Sequence, residues 1–151
     1  MAKKTKTTTT YEIQIVRKES VVCEPGNKVT HPSDIVDSGL LDTIKNAPQE
    51  HFVAISLDGA GQVITSRVVT IGILNSSLAH PRETFRGAIL DNAASIILAH
   101  NHPSGDLNPS ANDIALTQQM AHAGEIIGIK VIDHIIVSKK GYNSLKEHGI
   151  F

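Results

Sequence analysis

The chain has 151 residues, with 40% hydrophobic and 3% aromatic residues and a formal net charge of -1 at pH 7. This length fits one compact domain with an aliphatic core, and no apolar run approaches the roughly 20 residues of a membrane span. Direct nucleic-acid binding is not expected, because such proteins usually gather a basic surplus on one face, and the single Cys23 excludes an internal disulfide.

Residues 1–10 combine lysines with a run of four threonines, and they predict a disordered tail because they offer almost nothing to bury. A secretory signal peptide needs an apolar stretch directly after the lysines, and none follows. A cytoplasmic location is therefore expected, with residues 11–151 forming the domain.

Alternating apolar and polar residues predict a strand from Tyr11 to Arg17 and a second short strand from Ser20 to Glu24. A helix is expected to begin at His31-Pro32 and to stop before Pro48. Gly39 is its weak point, because glycine is a poor helix former. The apolar side of this helix consists of Ile35, Leu40, Leu41 and Ile44.

The clearest hairpin joins a strand over Glu50–Leu57 to a strand over Gln62–Thr70 through a glycine-containing turn. A helix is then expected from Pro81. Its buried face is predicted to contain Phe85, Ala88 and Ile89.

Residues Ser95 to Ala99 form a continuous apolar run, which predicts a central strand covered on both faces. A polar loop from Asn101 to Pro109 follows, and Ser110 caps a helix that ends at Gly128. Ile129 to Val137 returns as a strand. The buried stripe of that helix is predicted to contain Leu116, Met120, Ala123 and Ile127. This order of elements predicts an α/β or α+β sandwich with one mixed sheet flanked by helices.

His100 and His102 follow the apolar strand, and side chains two residues apart in an extended chain point the same way. Asp113 lies in the first turn of the next helix, which the loop can fold back over the strand end. Two imidazoles and one carboxylate leave the fourth position of a tetrahedral zinc ion to water, as in catalytic zinc sites. Iron or manganese would suit the same ligands.

Each half of this pattern has an ordinary explanation when taken alone. A His-x-His pair arises often by chance in a chain with eight histidines. Ser110-x-x-Asp113 resembles a capping box, in which the serine accepts from backbone N–H groups at a helix start. The fixed combination of both halves favours a metal site, and capping is compatible with ligation.

The pattern His-x-His, seven residues, then Ser-x-x-Asp resembles the signature of the JAMM (JAB, or MPN+) metalloproteases. The stretches ILAHNHPSGDLNPSANDIALTQQM, VIDHIIV and GYNSLKEHG are similar to the RadC-like branch of that family, from about Glu50 to the end. The resemblance implies a three-layer α/β fold of the cytidine deaminase-like type, with one zinc ion held by His100, His102 and Asp113. It also implies that Ser110 steadies the developing oxyanion.

The same resemblance implies a glutamate upstream of the histidines as the general base. Glu50 is the better candidate, because it precedes an apolar strand that can lie beside the metal-binding strand. Glu83 is the rival, although an acid in a first helical turn is also explained by the helix dipole.

The remaining polar residues are expected to have structural roles. His134 is predicted to be a hydrogen-bonded structural histidine, with support of a ligating imidazole as the alternative. Ser104 and Asp106 are expected to form turns rather than bind metal. The histidines expected at the surface are His31, His51, His80, His122 and His148.

The leading hypothesis is zinc-dependent hydrolysis of a peptide or isopeptide bond, with a peptide or protein as substrate. The alternative is a non-catalytic zinc-containing interaction module associated with DNA repair or mobile elements, since RadC-like proteins carry a DNA-repair label. Structural zinc sites usually close the fourth position with Cys or His, and the loop offers neither. Deamination is excluded because its Pro-Cys-x-x-Cys motif needs more than Cys23.

Overall fold

The computed structural model describes residues 28–72 and 79–150. The helices are α1 (Pro32–Asp37), α2 (Asp42–Lys45), α3 (Pro81–Leu90) and α4 (Ala111–Ile127). The strands are β1 (His51–Leu57), β2 (Val63–Ile71), β3 (Ser95–Asn101), β4 (Lys130–Ser138) and β5 (Gly141–Ser144). The predicted tail, the two predicted strands between Tyr11 and Glu24, and Cys23 all lie outside the described residues.

The strands form one mixed sheet in the order β2-β1-β3-β4-β5. The pairs β1–β2, β1–β3 and β4–β5 are antiparallel, whereas β3 and β4 are parallel. Helix α4 makes the crossover that a parallel pair requires. The carboxyl end of β3 therefore meets the first turn of α4, where the predicted metal ligands lie.

Two hydrophobic clusters cover the two faces of the sheet. One joins α3 and α4 to the sheet through residues such as Phe85, Leu116 and Ile96. The other joins α1 and α2 to the opposite face through Ile35 and Ile97, among others. The predicted layered arrangement of a mixed sheet between helices is thereby confirmed. Among the described residues, every helix falls short of the length and apolar character that a bilayer crossing demands.

The hairpin and the central strand are confirmed, with boundaries within two residues of those predicted. The helix expected between Pro32 and Pro48 is wrong as a single element. It is two short helices separated at Gly39, whose φ of 80° lies in the left-handed region that interrupts a right-handed helix. Strand β5 follows β4 through a tight turn and was not predicted.

Two residues assigned to buried helix faces are exposed instead. Ile89 in α3 is 53% exposed, and Ile127 at the end of α4 is 42% exposed. Both lie in the last two residues of their helices, so a helical period extended to the helix end overestimates burial. Phe85, Ala88 and Met120 are buried as predicted.

Candidate metal centre

Strand β3 is longer than its apolar run indicated, because its polar end is also paired on both sides. His100 lies opposite Phe52 of β1 and Ile136 of β4. The backbone N–H of His102 donates to the carbonyl of Val137 at 3.1 Å, which continues the pairing with β4 past the end of the strand. Extended backbone on both sides of Asn101 therefore directs the two imidazoles towards α4.

The three predicted ligands converge at this end of the sheet. His100 Nε2 lies 2.9 Å from His102 Nε2 and 3.3 Å from Asp113 Oδ1. His102 Nε2 lies 3.4 Å from Asp113 Oδ2. The side chains of His100 and Asp113 are 0% and 4% exposed, and that of His102 is 12% exposed. The cluster is thus accessible mainly from the His102 side.

The two separations from Asp113 match the donor set of a tetrahedral zinc ion, and the two imidazole nitrogens lie somewhat closer together. Donors about 2.0 to 2.1 Å from zinc stand about 3.3 to 3.4 Å apart in a tetrahedron. One ligand atom from each of His100, His102 and Asp113 lies within 4.8 Å of the others. Two imidazole nitrogens and one carboxylate oxygen therefore fit a divalent cation, with its remaining coordination left to a small ligand.

The first turn of α4 presents Asp113 through the capping box that the sequence predicted. Asp113 N–H donates to Ser110 Oγ at 3.1 Å, while Ser110 N–H and Oγ each donate to Asp113 Oδ2 at 2.7 Å. Burial opposes ionisation of this carboxyl, but the neighbouring imidazoles of His100 and His102 outweigh burial and lower the pKa of Asp113 far below its usual value. The carboxylate is therefore anionic, as a metal ligand must be.

The loop after β3 orients His102. Its Nδ1 lies 2.8 Å from the carbonyl oxygen of Asp106, which only accepts, so Nδ1 carries a hydrogen and Nε2 faces the cluster. The hydrogen bond with Asp113 raises the pKa of His102 and outweighs burial, which lowers it. The Asp106 carbonyl and the charge of Glu50 raise this pKa by smaller amounts. Side chains of Ser104 and Asp106 bond within the loop, as expected of turn formers.

His134 is buried and hydrogen-bonded, as predicted, and it lies directly behind a ligand. Its Nε2 is 2.8 Å from His100 Nδ1, and its Nδ1 is 2.5 Å from Thr117 Oγ1. Burial lowers the pKa of His134 well below its usual value, so the ring is neutral. Thr117 was missed by the sequence analysis. Its spacing of four residues from Asp113 on one helix was the available signal.

The two candidate bases occupy different surroundings. Glu50 is half-buried immediately before β1, and its charge contributes to the raised pKa of His102. Glu83 lies in the first turn of α3, 3.1 Å from Arg82 and 3.8 Å from Arg86, and its side chain is 41% exposed. Glu50 is therefore the candidate whose charge is known to act on a ligand, and the antiparallel register of β1 and β3 places it at the end of the sheet that carries the ligands.

Asn101 ties the segment that carries Glu50 to the strand between the two histidines. Its Oδ1 accepts from the N–H of His51 at 2.7 Å. Its Nδ2 donates to the carbonyls of Ala47 at 3.3 Å and Gln49 at 3.0 Å. The side chain is wholly buried on the sheet face opposite to the ligands. Asn101 was predicted to begin a loop, and this role was not predicted.

The other histidines lie apart from the cluster. His31, His80, His122 and His148 are exposed, as expected. His51 also lies at the surface but is half-buried, and thus less exposed than the other four. The cause is strand β1, because pairing of its first residue draws the His51 backbone to Asn101 and leaves the ring beside the Gln49 carbonyl.

Comparisons with known proteins agree with this geometry. A family model described as a RadC-like JAB domain matches residues 29–150. A UPF0758 protein of Rubrobacter xylanophilus is 46% identical over 138 residues, which cover 91% of this chain and 60% of that protein. One of Methanosarcina barkeri is 40% identical over 133 residues, or 88% of this chain and 58% of that protein. The chain thus spans less than two thirds of these relatives.

Proposed function

Because the chain belongs to the family of RadC-like JAB domains, we propose that it is a zinc-dependent hydrolase that cleaves a peptide or isopeptide bond. The observation that carries this proposal is the convergence of His100 Nε2, His102 Nε2 and Asp113 within 2.9 to 3.4 Å at a strand end. Three such donors, without a fourth protein ligand in the described cluster, leave room for a water molecule and a substrate oxygen.

The metal ligands would be His100, His102 and Asp113. A bound zinc ion lowers the pKa of a coordinated water to about 7 and polarises the scissile carbonyl. The partial exposure of His102 supports access of substrate from that side of the cluster. The nearly complete burial of the other two ligands excludes bulk water from the opposite side and strengthens electrostatic interactions there.

Glu50 is proposed as the general base. Its carboxylate would take a proton from the attacking water and pass it to the leaving amine. Its half-buried position before β1, where Asn101 holds the adjacent His51 N–H, supports this role, because β1 begins at the same end of the sheet as the ligands. A positioned group of this kind contributes about 10²- to 10⁴-fold to the rate.

Ser110 is proposed to stabilise the oxyanion that forms on the scissile carbonyl. A serine hydroxyl has one hydrogen, which in the structure points to Asp113 Oδ2. Rotation about the Cβ–Oγ bond would direct that hydrogen to the substrate oxygen. Ser110 Oγ would keep its acceptor role towards Asp113 N–H, and the backbone bond from Ser110 N–H would continue to hold the carboxylate.

The proposed function is tested with a mixed library of peptides and lysine-linked isopeptides incubated with the zinc-loaded protein. New amino termini, identified by mass spectrometry, are expected with zinc and are expected to disappear after chelation by phenanthroline. Restoration of cleavage on returning zinc is the control against contaminating proteases. The opposite result would support the non-catalytic interaction module. In that case the zinc-loaded protein cleaves no member of the library, and a protein atom rather than water fills the fourth coordination position.

Replacement of Asn101 by alanine is expected to reduce cleavage more than zinc affinity. The change leaves the His51 N–H without its side-chain acceptor, and an unpaired buried group costs about 1 to 3 kcal/mol. The segment carrying Glu50 then loosens. The measurements are the cleavage rate, the zinc dissociation constant and hydrogen exchange at His51.

The matched control for this experiment is Asn112→Ala, because Asn112 is exposed in the first turn of α4. It is expected to retain the wild-type cleavage rate. Equal losses of zinc affinity and cleavage in Asn101→Ala would show that Asn101 supports only the strand end.

A further inference from the structure

A continuous chain of buried polar groups lies beneath the candidate metal centre. It runs from the backbone carbonyl of Asp113 to Thr117 Oγ1 at 2.6 Å, and from that oxygen to His134 Nδ1 at 2.5 Å. It continues from His134 Nε2 to His100 Nδ1 at 2.8 Å. Thr117, His134 and His100 are all fully buried. The chain thus links two ligands on different elements, Asp113 of α4 and His100 of β3, through β4.

The hydrogen of the Thr117 hydroxyl has one possible place in this chain. A backbone carbonyl can only accept, so the 2.6 Å contact with Asp113 requires Thr117 to donate its single hydrogen there. Thr117 Oγ1 then has only lone pairs to offer His134. The 2.5 Å contact between them therefore requires a hydrogen on His134 Nδ1.

This assignment decides the hydrogen on His100 as well. A neutral imidazole with a hydrogen on Nδ1 has a bare Nε2, so His134 Nε2 accepts and His100 Nδ1 must donate. A doubly protonated His134 would be a charged ring with no solvent contact, which is costly to bury. With Nδ1 of His100 protonated, its Nε2 keeps a free lone pair towards His102 and Asp113.

We propose that Thr117 and His134 are positioning residues that select the metal-binding tautomer of His100. The opposite tautomer would place a hydrogen on His100 Nε2, in the space where a divalent cation must sit. Both residues act through His100 and touch neither substrate nor metal. The inference deepens the proposed function, since it concerns the same metal centre, but it depends only on metal binding and not on hydrolysis.

Thr117→Val is the decisive variant, because valine has nearly the shape of threonine and removes only the hydroxyl. Without that acceptor, His134 can carry its hydrogen on Nε2 and donate to His100 Nδ1, which shifts the His100 hydrogen to Nε2. Loss of an outer-shell partner typically weakens metal binding about 10- to 100-fold. We expect a loss of zinc affinity in this range. Thr117→Ser, which keeps the hydroxyl, is the matched control and should stay near the wild type.

Two measurements at one pH test the inference. Zinc dissociation constants are obtained by competition with a chromogenic chelator, with a single cooperative urea unfolding transition of each zinc-free protein as the check on folding. Nitrogen-15 spectra of the histidine rings in the zinc-free proteins report which ring nitrogen carries hydrogen. The wild type and Thr117→Ser should show His100 protonated at Nδ1, and Thr117→Val should show His100 protonated mainly at Nε2, because an affinity loss of about 10- to 100-fold requires that only about 10% to 1% of the protein keeps the binding tautomer.

The inference is overturned if Thr117→Val binds zinc as tightly as the wild type, or if its affinity falls while His100 stays protonated at Nδ1. Failure of the proposed function has a different signature. It would appear as a wild type that binds zinc with the expected tautomer yet cleaves no amide bond, or as a wild type that binds no zinc at all, which would overturn both proposals.

Discussion

Replacement of His102 by alanine is expected to abolish stoichiometric zinc binding and, with it, all zinc-dependent cleavage. Loss of a residue that only supports a ligand typically lowers metal affinity about 10- to 100-fold. Loss of a ligand itself must lower zinc affinity by more than this. His102 is also the most accessible ligand, at 12% exposure of its side chain. Its truncation therefore disturbs packing less than a change at His100, which is wholly buried. The variant is expected to fold.

The measurement is zinc content after dialysis, together with thermal unfolding with and without added zinc. A ligand that binds only the native state at 100 times its dissociation constant stabilises that state by about 2.7 kcal/mol. The wild type should gain such stability and His102→Ala should not. His122→Ala, at an exposed position of α4, is the control and should behave as the wild type. Stoichiometric zinc in His102→Ala would contradict the assignment of this ligand.

Replacement of Glu50 by glutamine is expected to lower the cleavage rate about 10²- to 10⁴-fold, the contribution of a positioned general base. Glutamine keeps the size of the side chain and removes its capacity to take a proton. Zinc affinity should change little, because Glu50 lies outside the group of residues that can share one ion. The cleavage rate and the zinc dissociation constant, measured on the same preparation, separate these two effects.

Glu83→Gln is the matched control for this experiment. Glu83 pairs with Arg82 and Arg86 on the surface of α3, and a surface change of this kind usually alters stability by no more than about 0.5 kcal/mol. Cleavage should persist at the wild-type rate. The reverse result, in which Glu83→Gln is inactive and Glu50→Gln is active, would transfer the role of base to Glu83.

Local patterns accounted for much of the fold. The hairpin of β1 and β2, the buried strand β3 and the capped helix α4 follow from alternation, continuous hydrophobicity and Ser110 at a helix start. Each depends on neighbours within a few residues in the chain. The helix divided at Gly39 and the exposed Ile127 show the limit of this approach, because an apolar period does not specify where a helix is interrupted or where its buried face ends.

By itself, the sequence determined which residues are suited to hold a metal ion: a His-x-His pair at a strand end and Asp113 in a capping box. Only the tertiary structure decided what surrounds them. The parallel pairing of β3 and β4 aligns Leu98 with His134 and places the His134 ring behind His100, while the antiparallel pairing of β1 brings Glu50 to the same sheet end. These contacts join residues 34 and about 50 positions apart, and strand register across such separations is set by packing of the whole core rather than by local preference.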